Sequence, residues 1–168
     1  GINRRFYSAP KQQLSIEEYS KRRPFKLLYV SIVDMYKHQW NVVEAVARLR
    51  KQGLPVELDL VGPAYAPAYR KLAKVLERQD PYSSFVRYRG SVPYEELDKY
   101  TNTADGVIFA STCENLPIIL LEAMASGVPI ACSDYGPMPE VLRDAGVYFD
   151  PECVESLYKV MQRFLEDR

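Results

Sequence analysis

Short apolar runs alternate with longer amphipathic segments along the chain from residue 25 onward. Runs of four to six mostly apolar residues favour buried strands, whereas apolar positions spaced by three and four favour helices. Six strands are predicted on this basis, at residues 25–30, 56–61, 85–88, 106–110, 129–132 and 146–149. Six helices are predicted between and after them, at residues 37–52, 67–79, 93–101, 117–126, 137–143 and 153–166.

The order of these elements predicts the fold class. Strand and helix alternate without a hairpin signal, which is typical of parallel strands joined by helical crossovers on both faces of a sheet. The continuous apolar run 107–109 is typical of a strand that is buried on both faces. The pattern therefore predicts an α/β protein with a Rossmann-like, doubly wound parallel sheet of about six strands. Such sheets bind ligands at the carboxyl ends of their strands.

Composition narrows the classes of function. The 168 residues suffice for one domain, and 22 Lys and Arg residues balance 22 Asp and Glu residues. Because the net charge is zero, no general basic field favours nucleic acid. The apolar runs fall far short of the roughly 20 residues of a membrane span. Cys113, Cys132 and Cys153 have no metal-ligand spacing and are predicted to be free thiols in a reducing compartment.

The first residues differ in character from the remainder. The chain starts at Gly1, and residues 1–24 are rich in Arg and Lys with little apolar periodicity. We interpret residues 1–24 as a linker from a missing N-terminal domain, and residues 25–168 as the ligand-binding domain. The chain is accordingly expected to be a piece of a longer protein.

One carboxylate stands out in the segment 115–133, where Glu122 is the single charged residue among nineteen. An average of 26% charged residues would place about five there. Burying an ionised carboxylate costs several kcal/mol unless it is paired. Two interpretations are open. Glu122 pairs with an amide, a Tyr or a Lys inside the protein, or it lines a cleft and accepts hydroxyls from a ligand.

A second carboxylate, Glu114, precedes Pro117 and belongs to the loop that leaves the fourth strand. The backbone amides of Asn115, Leu116 and Ile118 lie at the start of the next helix, where unpaired amides form an anion site. A loop carboxylate, an amide cradle and a buried carboxylate fit a phosphate flanked by two hydroxyl-bearing groups. A nucleoside diphosphate sugar is such a molecule.

The run 111–129 (STCENLPIILLEAMASGVP) resembles the signature of retaining family 4 glycosyltransferases. That signature has one Glu, seven residues, a second Glu followed by Ala-Met-Ala, and a Gly-x-Pro. Segments 133–140 and 145–151 are also similar to this family, as are segments 60–62, 86–90 and 100–105 upstream. The resemblance covers nearly the whole chain.

The resemblance implies the C-terminal, donor-binding domain of a two-domain GT-B enzyme of the hexosyltransferase type. In such an enzyme Glu114 is the catalytic candidate that faces the donor sugar, and Glu122 binds the ribose hydroxyls. Lys37 and the helix amides hold the diphosphate, and the nucleobase rests near residues 90–92. The implied donor-binding positions are Lys37, Gly62, Gly90, Val92, Asn115, Leu116, Ile118 and Glu122.

Two loops depart from the family pattern. Ser31-Ile32-Val33-Asp34 stands where many members carry Gly-Arg, so phosphate binding is expected to depend on Lys37 and the helix amides. Asn115-Leu116-Pro117 stands where many members carry Gly-x-Gly, so we expect either a different approach of the donor sugar to this loop or a subgroup with a different donor.

The resemblance also sets expectations for partners. The substrate would be a UDP- or GDP-linked sugar, without a cofactor or a metal, and the acceptor would bind to the missing N-terminal domain. The product would belong to glycan or polysaccharide biosynthesis, in the cytoplasm or at the inner face of the membrane. Membrane association is expected only through the parent protein, and this chain alone is expected to be inactive. The alternatives are a non-catalytic nucleotide-sugar-binding module and a plain α/β interaction domain.

Overall fold

A six-stranded parallel sheet forms the centre of the computed structural model, which describes residues 1–7 and 14–166. The strands are β1 (Phe25–Val30), β2 (Val56–Val61), β3 (Val86–Gly90), β4 (Gly106–Phe109), β5 (Ile130–Ser133) and β6 (Gly146–Phe149). Their order in the sheet is β3-β2-β1-β4-β5-β6, and each neighbouring pair is parallel. The predicted doubly wound α/β fold is confirmed.

Six α-helices cover the two faces of the sheet. They are α1 (Gln39–Lys51), α2 (Ala66–Gln79), α3 (Leu97–Thr103), α4 (Ile118–Ala125), α5 (Met138–Leu142) and α6 (Val154–Glu166). Helix α1 packs against α2 and α6, whereas α4 packs against α5, so the helices form two layers. Within the described residues, no helix combines the length and apolar character needed to cross a bilayer.

Several predicted boundaries were wrong by one to four residues, for local reasons. Helix α1 begins at Gln39 rather than at Lys37, because His38 adopts a left-handed backbone conformation with φ of 55°. Helix α4 begins at Ile118 rather than at Pro117, whose ψ of 87° lies outside the helical range. Strand β3 starts one residue later than predicted and extends to Gly90, which pairs with Val61 across a register shift.

The described parts of the predicted linker pack on the domain. A short 3₁₀ turn, Arg4–Phe6, contacts α3 and α4, and Phe6 is almost completely buried. Farther along, the ring of Tyr19 lies 5.2 Å from the ring of Phe25 in an edge-on contact. The described residues 1–7 and 14–24 thus cover part of the sheet and helix surface. The assignment of segment 1–24 as an interdomain linker stays a prediction, and residues 8–13 of it lie outside the described residues.

The strand order locates the crevice of the fold. Strand β1 lies between β2 and β4. From β1 to β3 successive strands are added toward one edge of the sheet, and from β4 to β6 they are added toward the other edge, so the order reverses at the β1–β4 pair. Crossover connections leave this point toward opposite faces of the sheet, which opens a crevice at the carboxyl ends of the strands. The loops 31–38 and 110–117 follow β1 and β4 and border this crevice.

Candidate functional site

A cavity of about 410 Å³ lies at the carboxyl ends of β1, β2 and β4. Most of the described lining residues are apolar, and the charged ones are Lys37 and Glu114. Five of the predicted donor-binding positions line the cavity, namely Lys37, Gly62, Val92, Leu116 and Ile118, together with the catalytic candidate Glu114. The fold therefore brings most of the predicted site together.

Lys37 is held from several directions. Its backbone amide donates to the carbonyl of Asp34 at 3.1 Å, and its carbonyl accepts from the Tyr29 hydroxyl at 2.7 Å. The ammonium lies 5.1 Å from the centre of the Phe109 ring and forms an ion pair with Glu114. The side chains of the pair are 8% and 18% exposed. The centre of the cleft is therefore charged but locally neutral.

Ser111 orients the carboxylate of this pair, a role that the sequence pattern did not predict. It is fully buried at the end of β4 and donates its hydroxyl to Oε1 of Glu114 at 3.0 Å. The same hydroxyl oxygen accepts from the amide of Cys113 at 3.3 Å. Glu114 thus has two partners, and a polar residue directly after a fully apolar strand was the signal available in the sequence.

The loops after β1 and β4 are tied together beside the ion pair. The amide of Thr112 donates to the carbonyl of Tyr36 at 2.9 Å, and Nε2 of His38 lies 3.1 Å from the Thr112 hydroxyl oxygen. Burial lowers the pKa of His38 from its ordinary value of 6.5, although Glu152 and Asp150 oppose the shift. The lowered pKa favours the neutral imidazole, which contributes a hydrogen bond rather than a charge.

The N-terminus of α4 lies at the cavity, because Ile118 and Ile119 belong to its lining. The first amides of any helix lack intrahelical acceptors, and those of Ile118 and Ile119 occupy these positions here. Leu116 and Ile118 line the cavity with side chains that are 61% and 55% exposed, whereas Asn115 is exposed outside the lining. The helix dipole and the free amides together favour an anion next to Lys37.

Glu122 lies one helical turn from the start of α4. It is 5% exposed and borders a small cavity beside the main one. Val30, Leu97 and Ile119 line both cavities and form the wall between them. The hydroxyl of Tyr94 donates to Oε1 of Glu122 at 3.0 Å. The structure thus provides the internal Tyr partner, and the ribose-binding role stays a prediction.

Burial raises the pKa of Glu122 above its ordinary value of 4.5, while the Tyr94 hydrogen bond and the charge of Arg5 lower it in part. Burial likewise raises the pKa of Tyr94, and its hydrogen bond to Glu122 adds to the shift. The hydrogen bond therefore favours the ionised form of Glu122 and the protonated form of Tyr94.

Gly62 shapes the opposite wall of the cavity. Its φ is 142°, and a Cβ atom at this position would lie 2.1 Å from the carbonyl oxygen of Ser31. Its amide donates to the carbonyl of Gly90 at 2.8 Å, so Gly90 supports this wall without being part of the lining. Only glycine allows the two loops to approach this closely.

The cysteines are free, as predicted, with Cys113 and Cys153 exposed and Cys132 buried. Burial raises the pKa of the Cys132 thiol to about 12, so it stays protonated and unreactive. Among residues 1–7 and 14–166, no group of three His, Cys, Asp or Glu residues is placed to hold a metal ion. The expectation of a metal-independent site stays a prediction.

Comparison with known proteins identifies the family. Residues 11–168 match the family model described as glycosyl transferases group 1. The chain belongs to the group 1 glycosyl transferases. Among curated relatives, the O-antigen chain mannosyltransferase B of Escherichia coli is 30% identical over 145 residues, which are 83% of this chain and 36% of that protein.

A second relative is named GDP-mannose-dependent alpha-(1-6)-phosphatidylinositol monomannoside mannosyltransferase, from Mycobacterium tuberculosis. It is 30% identical over 144 residues, which are 79% of this chain and 36% of that protein. The amylovoran biosynthesis glycosyltransferase AmsK of Erwinia amylovora is 28% identical over 126 residues, 71% of this chain and 30% of its own length. This group 1 chain thus spans about a third of the length of the curated relatives it matches.

Solved structures share the fold. HepE of Anabaena, crystallised with UDP and glucose, superposes with a TM-score of 0.77 at 22% identity, over 88% of this chain and 40% of that one. A trehalose-6-phosphate protein of E. coli bound to UDP-2-fluoro glucose gives a TM-score of 0.78 at 13% identity, over 88% and 38%. The predicted Rossmann-like domain of a GT-B glycosyltransferase is confirmed for this group 1 chain.

Proposed function

We propose that this chain is the donor-binding domain of a retaining glycosyltransferase that uses a nucleoside diphosphate sugar. The observation that carries the proposal is the Lys37–Glu114 ion pair, placed beside the first amides of α4 in a cavity of about 410 Å³. A lysine and a helix N-terminus supply positive charge for a diphosphate, and a carboxylate at the same point supplies an acceptor for sugar hydroxyls.

In this proposal the diphosphate, the sugar, the ribose and the base of the donor each bind to a different set of residues. The diphosphate binds to Lys37 and to the amides of Leu116 and Ile118, and the sugar faces Glu114. When the bond between the anomeric carbon and the phosphate oxygen breaks, its electron pair remains on the phosphate. Lys37 and the dipole of α4 stabilise that charge without a metal. The ribose hydroxyls reach Glu122, and the base lies near Gly90 and Val92.

The names of relatives guide the choice of donor. One relative is named as GDP-mannose-dependent and another as a mannosyltransferase, whereas the solved structures contain UDP or a UDP sugar. We favour a GDP-linked hexose because the two mannosyltransferases are the more similar in sequence. The product is proposed to belong to glycan or polysaccharide biosynthesis, as the names of the O-antigen and amylovoran relatives suggest.

Calorimetric titration with GDP, UDP, GDP-mannose and UDP-glucose tests the proposal. We expect binding of one nucleotide class, unchanged by excess EDTA, and a Kd at least tenfold higher for Lys37→Met, since charge-assisted hydrogen bonds are worth about 1.5–3 kcal/mol. Lys74→Met, which removes an exposed lysine of α2, is the matched control. No heat with any of the four ligands would instead favour a plain interaction domain.

Transfer itself requires a longer protein in this proposal. The chain covers about a third of its relatives, and the acceptor is proposed to bind to a preceding domain. We therefore expect this chain alone to bind the donor without transferring the sugar, so full turnover by the 168 residues would contradict the proposal.

A second candidate is a non-catalytic nucleotide-sugar-binding module. The departures from the family pattern at residues 31–34 and 115–117 favour it, because the first segment lacks the phosphate-binding Arg and the second lacks the two glycines. Glu114→Gln in the longer parent separates the two candidates. Loss of transfer with donor binding intact supports the enzyme, whereas a parent that binds the donor but never transfers supports the module.

A further inference from the structure

Tyr94 links the proposed base-binding loop to the proposed ribose carboxylate. It begins the short 3₁₀ turn Tyr94–Glu96, two positions after Val92, and its hydroxyl donates to Oε1 of Glu122 at 3.0 Å. Tyr94 is 47% exposed, while Glu122 is 5% exposed. A single exposed side chain therefore holds one oxygen of a buried carboxylate.

Arg5 holds Tyr94 from the other side. Its guanidinium lies 4.2 Å from the centre of the Tyr94 ring and donates to the Tyr94 backbone carbonyl. It also approaches Oδ1 of Asp98 at 3.9 Å. The neighbouring Phe6 is 1% exposed and anchors this part of the chain beneath α3 and α4. The family match starts at residue 11, so Arg5 lies outside the matched region.

The surroundings of Glu122 make these two residues decisive for its charge. The other described side chains around the small cavity are not titratable: Leu28, Val30, Leu97, Thr101, Val107, Ile119 and Ala123. Tyr94 and Arg5 are the groups that favour the ionised carboxylate, and Asp98 faces Arg5 rather than Glu122. A ribose diol binds best to an ionised, fixed carboxylate, since each hydroxyl then has a charged acceptor.

We propose that Tyr94 and Arg5 are positioning residues of the nucleotide site, which fix Glu122 for the ribose 2′ and 3′ hydroxyls. This inference rests on the proposed function of Glu122. It makes the segment around Arg5 part of the donor site, although that segment precedes the sheet by about twenty residues. Arg5 hydrogen-bonds to the backbone carbonyl of Tyr94, and the Tyr94 hydroxyl in turn hydrogen-bonds to Glu122.

The experiment compares each nucleotide with an analogue that lacks the ribose hydroxyls. GDP and 2′,3′-dideoxy-GDP are titrated calorimetrically, and so are UDP and 2′,3′-dideoxy-UDP, against wild type, Tyr94→Phe and Arg5→Gln. Matched controls are Tyr82→Phe, whose ring is 90% exposed, and Arg4→Gln, whose residue is exposed. Discrimination between ribose and dideoxyribose is the readout, because a merely structural defect would weaken both ligands alike.

We expect wild type and both controls to prefer the ribonucleotide, and Tyr94→Phe to lose roughly tenfold of that preference, as for a hydrogen bond to a charged group. Arg5→Gln is expected to lose about threefold of the preference for the ribonucleotide, because Arg5 acts on Glu122 only indirectly, through its cation–π contact and hydrogen bond with Tyr94. In Tyr94→Phe the acid limb of ribonucleotide binding also moves to higher pH, because the carboxylate loses a donor that favours its charge.

The contrary outcomes are distinct. If Glu122→Gln abolishes the ribose preference while Tyr94→Phe and Arg5→Gln match their controls, the positioning inference is overturned and the proposed function stands. Tighter ribonucleotide binding by Tyr94→Phe would show that Tyr94 competes with ribose, which also overturns the inference. If wild type binds ribose and dideoxyribose forms equally, the proposed role of Glu122 fails, and the inference fails with it.

Discussion

The ammonium of Lys37 and the carboxylate of Glu114 form an ion pair across 77 positions of sequence. Their loops follow β1 and β4, which are neighbours in the sheet where the strand order reverses. Tyr29 fixes the backbone of Lys37, and Ser111 fixes the carboxylate of Glu114. The pair therefore connects the two halves of the sheet at the point where a doubly wound fold binds its ligand.

Breaking this pair from one side should cost more stability than removing both charges. We expect Lys37→Met to lower the free energy of unfolding by about 1–3 kcal/mol, because Glu114 is left as a largely buried, uncompensated charge. The double variant Lys37→Met with Glu114→Gln is expected to recover much of that loss. Urea unfolding of both single variants and the double variant measures the coupling, and strictly additive losses would contradict it.

Glu122 should limit stability at neutral pH. Burial raises the pKa of Glu122 in the folded state, so its ionisation opposes folding. This free-energy cost is absent at pH values below the ordinary pKa of 4.5 and is fully present at pH values above the raised pKa. We expect Glu122→Gln to raise Tm at pH 7.5, with a gain that shrinks toward zero as the pH falls to 4. Thermal unfolding across this range measures it, with the exposed Glu77→Gln as control. A gain of equal size at both pH values would refute the ionisation mechanism.

His38 should destabilise the fold on acidification. Its folded-state pKa is lowered by burial, so the unfolded chain takes up the proton first, and stability is lost as the pH falls from 6.5 toward the lowered value. Asn tolerates the left-handed φ of 55° at this position. We therefore expect the Tm of His38→Asn to fall less than that of wild type between pH 7 and pH 5. Parallel pH profiles of the two proteins would contradict this.

The wall at Gly62 should not tolerate a methyl group. Gly62→Ala places Cβ against the carbonyl oxygen of Ser31, a backbone atom that cannot move aside without shifting the loop after β1. We expect a loss of about 2 kcal/mol or more in unfolding free energy, together with weaker nucleotide binding. Gly53→Ala is the matched control, because Gly53 also has positive φ, of 85°, but no atom within 4 Å of the place its Cβ would take. Gly53→Ala should lower the free energy of unfolding by about 1 kcal/mol, from backbone strain alone.

Periodicity sufficed for the sheet because parallel strands must bury both faces, and β1, β2 and β6 have the predicted bounds. It failed at the starts of α1 and α4, where the backbone angles of His38 and Pro117 decide the first helical residue. These angles follow from contacts with other loops, which a local pattern does not contain.

The placement of the candidate site residues was predictable to a similar extent. Glu114 and Lys37 follow neighbouring strands, and the family resemblance singles them out. Tyr94 has no local signal that separates it from the other tyrosines, because its contacts with Glu122 and Arg5 span 28 and 89 positions. Ser111 belongs to the signature run, but its role is not visible there, since its orientation toward Glu114 depends on the folded loop.

The side chains of Leu116 and Ile118 project from the cavity wall with more than half of their surface free, while Lys37 and Glu114 are anchored by Tyr29 and Ser111 in the layer below. The hydrogen bonds that hold the charged pair thus involve neither of these two apolar side chains. Exchange of Leu116 or Ile118 for another apolar residue is therefore expected to reshape the rim of the cavity without moving Lys37 or Glu114.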